Sequence, residues 1–240
     1  MKLKLSLLAA ALGFSMSALA NPNEIIKEFD LIHSDSFSSN LDKWVIEKTN
    51  ATVQIKDGEL FIDDAAGTTV WFKDDIGTPS VIEFNGAVVV EGGPNDRGTD
   101  LNWFWMAQDT SNPNDFFARS EWREGDMRKY DPMRLYYIGY GANENSTTRF
   151  RRYAGDGLRP LLPEYDVSDK KFMNVPNVMT NIKIVNLEDK IEVYANDNKL
   201  YEIKDNEPFK SGKFGFRTWK SHLKLDDFKV YAPKNNQFNI

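Results

Sequence analysis

Twelve short segments of period-two alternation, with no stretch of sustained helical periodicity, decide what this chain can fold into. They are "KWVIE", "TVQIKDGELFID", "TTVWFKDD", "SVIEFNGAVVV", "DLNWFWMAQD", "MRLYYIGYG", "TTRFRRYAG", "NVMTNIKIVN", "DKIEVYAND", "KLYEIKD", "GKFGFRT" and "LKLDDFKVYA". In an extended strand every second side chain lies on one face, so each segment can press one face into a core and show the other to water. Turn strings such as "KDGE", "GGPNDRG", "GANENS" and "ANDNK" punctuate them. The predicted fold class is all-β, an antiparallel β-sandwich. No internal repeat and no Pro- or Ser-rich linker interrupts it, so residues 21–240 are expected to form a single domain. The longest break, residues 156–177, is long for a compact sandwich and is expected to form a binding rim.

The first twenty residues stand outside this pattern. "MKLKLSLLAAALGFSMSALA" carries Lys2 and Lys4, an apolar run, and the small-residue ending Ala18-Leu19-Ala20. These are the features of a secretory signal peptide cut before Asn21. The run is short for a membrane span and no comparable run follows, so a periplasmic or secreted protein with no membrane partner is expected. The chain has no cysteine, which removes a lipoprotein anchor, disulfides and thiol chemistry together. Its formal charge of −6 becomes −8 when Lys2 and Lys4 leave, which argues against a nucleic-acid partner.

The arginines are segregated within that acidic balance. Nine fall between Arg97 and Arg159 with Lys129 as the lone lysine, whereas the rest of the chain holds nineteen lysines and only Arg217. The rigid guanidinium fork suits bidentate contact with carboxylate or sulfate and stacks on aromatic rings. Asp115, Glu121, Glu124, Asp126 and Asp131 can pair with some of these arginines. The others need another partner, one that carries carboxylate or sulfate.

Alternation also assigns faces to the candidate side chains. In "TTRFRRY" Phe150 marks the buried side, so Arg149, Arg151 and Tyr153 are predicted to project together from the opposite face. The preceding strand places either Tyr136, Ile138 and Tyr140 or else Tyr137 beside them, a choice of register that the "GANENS" turn leaves open. In "LNWFWMAQ", Asn102, Phe104, Met106 and Gln108 oppose Leu101, Trp103, Trp105 and Ala107. One of the two tryptophans, Trp105 in the reading adopted, would offer its ring to a sugar; the other reading makes both core residues. "FARSEWREGD" has Arg119, Glu121 and Arg123 at alternate positions and is read as a further strand edge.

Three stretches carry a family resemblance. "DSFSSNLDKWVIE", "TNIKIVNLEDKIEVYANDNKLYEI" and "SGKFGFRTWKSHLKLDDFKVYA" resemble the first and last strands of the concanavalin-like lectin and glucanase superfamily. "NDRGTDLNWFWMAQD", "LYYIGYGANENSTTRFRRYAG" and "FRTWKSH" are similar to the YesU-type family of bacterial secreted proteins within it. The resemblance implies a concanavalin-like jelly roll and an association with polysaccharide breakdown. "RSEWRE" further resembles the arginine and glutamate strand of jelly-roll alginate lyases, which implies that Arg119 and Arg123 hold substrate carboxylates while Glu121 orients them. The glutamine and histidine motif of those lyases is absent: "QIKDG" at Gln54 has lysine where histidine is needed.

These residue types fit a polysaccharide lyase acting by β-elimination on a uronate-containing, acidic polysaccharide or its oligosaccharides. The reaction needs a cation to neutralise the sugar carboxylate and a base to take the C5 proton. Arg149 and Arg151 are the candidate neutralisers, and Tyr137, Tyr140 or His222 the candidate bases. Asn102, Trp105, Arg119, Glu121, Arg123, Tyr153 and Arg217 are the candidate substrate contacts. His33 lies in the polar lead-in and is expected to be inert. No cofactor is required by this chemistry. Asn95, Asp96 and Asp100 in a glycine-rich turn can bind a structural calcium, although the same residues build ordinary turns. A non-catalytic carbohydrate-binding protein is the alternative. A glycoside hydrolase is the weaker one, because Glu121, Glu124 and Asp126 have the wrong order and spacing for the glucanase series.

Overall fold

The computed structural model describes residues 21–234; the expected signal peptide lies outside the described residues. The strands are β1 (Phe29–Asp35), β2 (Trp44–Lys48), β3 (Ala51–Lys56), β4 (Glu59–Asp64), β5 (Thr68–Phe72), β6 (Ile76–Gly77), β7 (Ser80–Val88) and β8 (Leu101–Gln108). They continue as β9 (Arg134–Gly141), β10 (Thr147–Ala154), β11 (Asp166–Val167), β12 (Thr180–Asn186), β13 (Lys190–Ala195), β14 (Asn198–Lys204), β15 (Ser211–Thr218) and β16 (His222–Pro233). One sheet runs β14-β13-β12-β7-β16-β4-β3, with β1 also on β16. The second runs β11-β10-β9-β8-β15-β5-β2, with β6 also on β15. Every pairing is antiparallel, which gives the expected all-β sandwich. Among the described residues no helix is long and apolar enough to cross a membrane.

All twelve predicted segments are found as strands. "TVQIKDGELFID" divides at Asp57-Gly58 into β3 and β4, both turn residues having positive φ (54° and 80°), as a two-residue hairpin turn demands. The polar lead-in contains β1, which alternation could not announce. It has no buried residue and is held to β16 by its backbone ladder, with Phe29 packed beside Tyr231.

Between the sheets lies one continuous apolar core. Leu60, Ile82, Phe84, Ile184, Leu225 and Phe228 from the first sheet meet Val70, Trp103, Trp105, Ile138, Phe150 and Phe216 from the second. Burying side chains of this size contributes roughly 1.5–3 kcal/mol each. The second sheet also has a buried patch on its outer side. There Trp71, Phe104 and Leu135 pack under Tyr130, Met133, Phe116 and Phe117, which belong to the long connection between β8 and β9.

That connection corrects one expectation. "FARSEWREGD" is not a strand: Phe116–Arg119 forms a 3-10 turn, Ser120–Arg123 a single helical turn, and Glu124 and Gly125 turn the chain back with φ of 41° and 79°. Arg119, Glu121 and Arg123 therefore do not share a strand edge, and the strand context on which the alginate-lyase similarity depended is absent.

Candidate functional site

Antiparallel register sets two rows of side chains across the outer face of the second sheet. The first row is Thr69, Arg217, Asn102, Gly139 and Arg149, on β5, β15, β8, β9 and β10 in turn. The second is Trp71, Gly215, Phe104, Tyr137 and Arg151. The connection between β8 and β9 covers Trp71 and Phe104 in the second row, while Arg217, Asn102, Tyr137, Arg149 and Arg151 floor a cleft of about 1000 Å³. Strands lie about 4.8 Å apart, so the three steps from Arg217 to Arg149 span about 15 Å, the width of a few sugar rings.

The guanidinium groups of the cleft differ in how far they are already neutralised. Arg151 places Nη1 2.8 Å and Nη2 3.3 Å from the two oxygens of Asp166. Arg159 is held by Asp131 at 2.6 Å, Arg128 by Asp126 at 2.7 Å, and Arg97 by Glu144. Arg149 has Asp166 only at 4.0 Å, and its Nε is buried without a hydrogen-bond partner. Arg217 is 2% exposed, and among the described residues no carboxylate comes within 4.0 Å of it. Its Nη1 donates to Thr69 Oγ1 (3.0 Å) and to the Gly125 carbonyl (2.8 Å), and its guanidinium lies against the rings of Tyr130 and Phe104. Burying a cation without a counter-charge costs several kcal/mol, so this floor is electrostatically incomplete in the free protein.

Two polar groups complete the floor. Asn102 is buried and donates from Nδ2 to Asp100 at 3.3 Å, which leaves its Oδ1 without a partner. The Tyr137 hydroxyl lies over Gly139, where any Cβ would stand 2.7 Å from it. Glycine at this place in the first row gives the phenol its position between Asn102 and Arg149. Burial raises the Tyr137 phenol well above the ordinary tyrosine range, with Tyr153 and Asp100 adding to the shift and Arg217 and Arg149 opposing it. The phenol therefore holds its proton at neutral pH.

Asp100, at the edge of the same cleft, is also raised by burial, against hydrogen bonds from Asn102 and Thr99 and the charge of Arg97. A carboxyl whose folded-state value lies above its unfolded one binds its proton more tightly in the folded protein, so ionisation costs stability as pH rises. Asp100→Asn is expected to raise the thermal midpoint at neutral pH, with the gain vanishing once the pH falls below the ordinary aspartate range. A midpoint unchanged or lowered at neutral pH would contradict this.

The structure sorts the predicted site residues by position. Asn102, Tyr137, Arg149, Arg151, Tyr153 and Arg217 line the cleft, and the open choice of register falls on Tyr137, opposite Arg151. Trp105 and Tyr140 do not line it. Both are buried between the sheets, Trp105 against Tyr136 and Phe150 and Tyr140 near Trp103. A bulge beyond Trp105, where Met106 takes φ 51°, sends Met106 into the core as well and turns Ala107 to the outer side. His222 begins β16 in the other sheet, with its Nδ1 2.9 Å from Asp96 and its ring near Phe61. Arg123 is 1% exposed and bound to Glu47 and Asp109, Arg119 stacks on Trp122, and Glu121 is exposed outside the cleft. None of Trp105, Arg119, Glu121, Arg123, Tyr140 and His222, expected as contacts or bases, lines the cleft.

The calcium-turn residues are engaged separately. Asp96 accepts from the amides of Glu91 and Gly93, Asn95 donates to Asp63, and Asp100 faces the cleft. Among the described residues no group of three or more His, Cys, Asp or Glu side chains is arranged to hold a metal. His33 stands on β1, edge-on to Phe72. Sequence reasoning missed Arg97, Asp100 and Trp219 as cleft residues. The first two sat in a string read as a metal turn. Trp219 could have been found from its place two residues after Arg217.

A jelly-roll sandwich with a cationic cleft on one outer face defines the class. Residues 62–228 match the family described as "Domain of unknown function (DUF6250)", and the chain belongs to that family. No curated protein matches the sequence. Among solved structures the chain is similar to a Bacillus subtilis protein of unknown function with a galectin-like fold, at TM-score 0.65 and 14% identity over 86% of this chain and 100% of that one. It is also similar to the carbohydrate-binding module CBM66 from Bacillus subtilis, at TM-score 0.55 and 12% identity over 82% and 99% of the two chains. A β-glucanase from Bacillus licheniformis aligns at TM-score 0.57 and 9% identity over 84% and 98%. Identities this low establish the shared fold.

Proposed function

We propose that the protein binds a uronate-containing saccharide in this cleft and cleaves it by β-elimination. The observation that carries the reading is Arg217, a buried guanidinium on the floor of an open cleft with no protein carboxylate to neutralise it. A sugar carboxylate offers two oxygens to such a planar donor. Arg149 supplies a second cation across the floor, and the unpartnered Oδ1 of Asn102 accepts from a sugar hydroxyl. The floor thus matches both kinds of group that a uronate carries.

Elimination removes the C5 proton, forms the C4–C5 double bond and expels the glycosidic oxygen from C4. Arg217 and Arg149 stabilise the enolate-like charge that develops on the carboxylate. Tyr137, protonated at rest, donates to the leaving oxygen. Asp100, with a proton affinity raised by burial, takes the C5 proton. The carbohydrate-binding module and the glucanase of the same fold support a saccharide as the ligand class. The signal-peptide-like pattern of residues 1–20 supports a periplasmic or secreted location, where such glycans are met, and the YesU-type resemblance supports a place in polysaccharide breakdown.

Incubation of residues 21–240 with pectic, ulvan, alginate and glucuronan fractions is expected to release an ultraviolet-absorbing unsaturated uronate from at least one of them. Binding without any product would reassign the cleft to a carbohydrate-binding protein. New reducing ends without the absorbance would make it a hydrolase.

A further inference from the structure

The cleft is enclosed at floor level. On its β5 side the backbones of Gly67 and Gly125 meet so closely that a Cβ on Gly67 would stand 2.7 Å from the Gly125 carbonyl oxygen, and Thr49 Oγ1 donates to the Glu124 carbonyl at 3.1 Å. At the end of the second row, the connection between β8 and β9 buries Trp71 and Phe104 and reaches Arg217 through the Gly125 carbonyl and the Tyr130 ring. Arg159, in the loop after β10, clasps Asp131 of that connection at 2.6 Å and closes the corner between them. Pro160 and Leu161 continue the wall on the β10 side. At the remaining end Arg97 pairs with Glu144 of the β9–β10 turn and donates to the carbonyls of Trp219 and Lys220 (3.3 and 3.2 Å) in the β15–β16 turn. Three connections are tied together there. The mouth opens away from the sheet, with Trp219 (44% exposed) and Leu161 (78% exposed) on its rim.

A polysaccharide bound through its interior needs two exits along the floor, one for each direction of the chain. Here the floor has walls on three sides and the Arg97–Glu144 bar across the fourth. We infer that the ligand is the end of a saccharide chain or a short oligosaccharide, which enters from above with its reducing-end uronate, the residue that carries the glycosidic oxygen on C4, on Arg217. This inference rests on the uronate reading of the cleft and adds which part of the chain is taken.

The test is the binding stoichiometry of the Tyr137→Phe protein, expected to hold substrate while turning it over far more slowly, titrated with uronate oligomers of increasing length. One protein per chain at every length is expected. A number of bound proteins that rises with chain length would overturn the chain-end inference and leave the uronate reading intact, whereas no binding to any uronate oligomer would overturn both. The unaltered protein gives a second reading. Its digests are expected to contain only the shortest products from the first minutes, with slow loss of viscosity, and an early ladder of long and intermediate fragments would overturn the inference.

Discussion

Arg123→Ala is expected to lower the stability of the protein by about 3–5 kcal/mol, the cost of breaking a buried ion pair from one side. The guanidinium donates to Glu47 Oε1 at 2.7 and 2.9 Å, to Asp109 Oδ2 at 2.9 Å and to the Phe116 carbonyl at 2.8 Å. Glu47 also accepts from Ser120 and from the Tyr130 hydroxyl. Alanine would leave the buried Glu47 carboxylate without a cation and the nearly buried Asp109 with Arg119 alone, at 3.8 Å. For a chain of this size the loss corresponds to a fall in melting temperature of roughly 10 °C. Denaturant unfolding checks the figure, and a midpoint within experimental error of the parent would refute it. The triple replacement of Arg123, Glu47 and Asp109 by apolar residues of similar volume should recover much of the loss, because it removes the stranded charges along with their partner.

Tyr137→Phe is expected to lower kcat by roughly 10²–10⁴-fold, the range for loss of a proton-transferring side chain, while KM changes little. The phenyl ring would keep its packing against Phe104 and Tyr153, so only the hydroxyl over Gly139 is removed. Steady-state kinetics on the uronate substrate, with binding measured in parallel, separates the two effects. Turnover within a factor of a few of the parent would remove Tyr137 from the chemistry and leave it a wall of the cleft.

Sequence pattern carried the strands and part of the floor, and its failures have specific causes. Arg149, Arg151 and Tyr153 were legible because Phe150 fixes the buried side of β10 and period two does the rest. Their neighbour on β9 was not, because the joining turn holds three consecutive positive-φ residues, Asn143, Glu144 and Asn145, and no short-turn rule gives its register. Trp105 and Tyr140 misled because β8 and β9 are buried on both faces, by the opposite sheet on one side and by the β8–β9 connection over part of the other. Alternation then no longer separates wet from dry. "RSEWRE" misled for a different reason. In one helical turn Arg119 and Arg123 are four residues apart, and the alternating charges coincide with a strand pattern by spacing alone.

The floor of the cleft belongs to strands whose opposite faces hold the sandwich together. Asn102, Tyr137, Arg149 and Arg217 each alternate with residues locked between the sheets, so their backbone positions are set by interior packing that is indifferent to what they carry outward. A changed side chain on the outer rows consequently alters the lining of the cleft, while the frame that aims it stays the same.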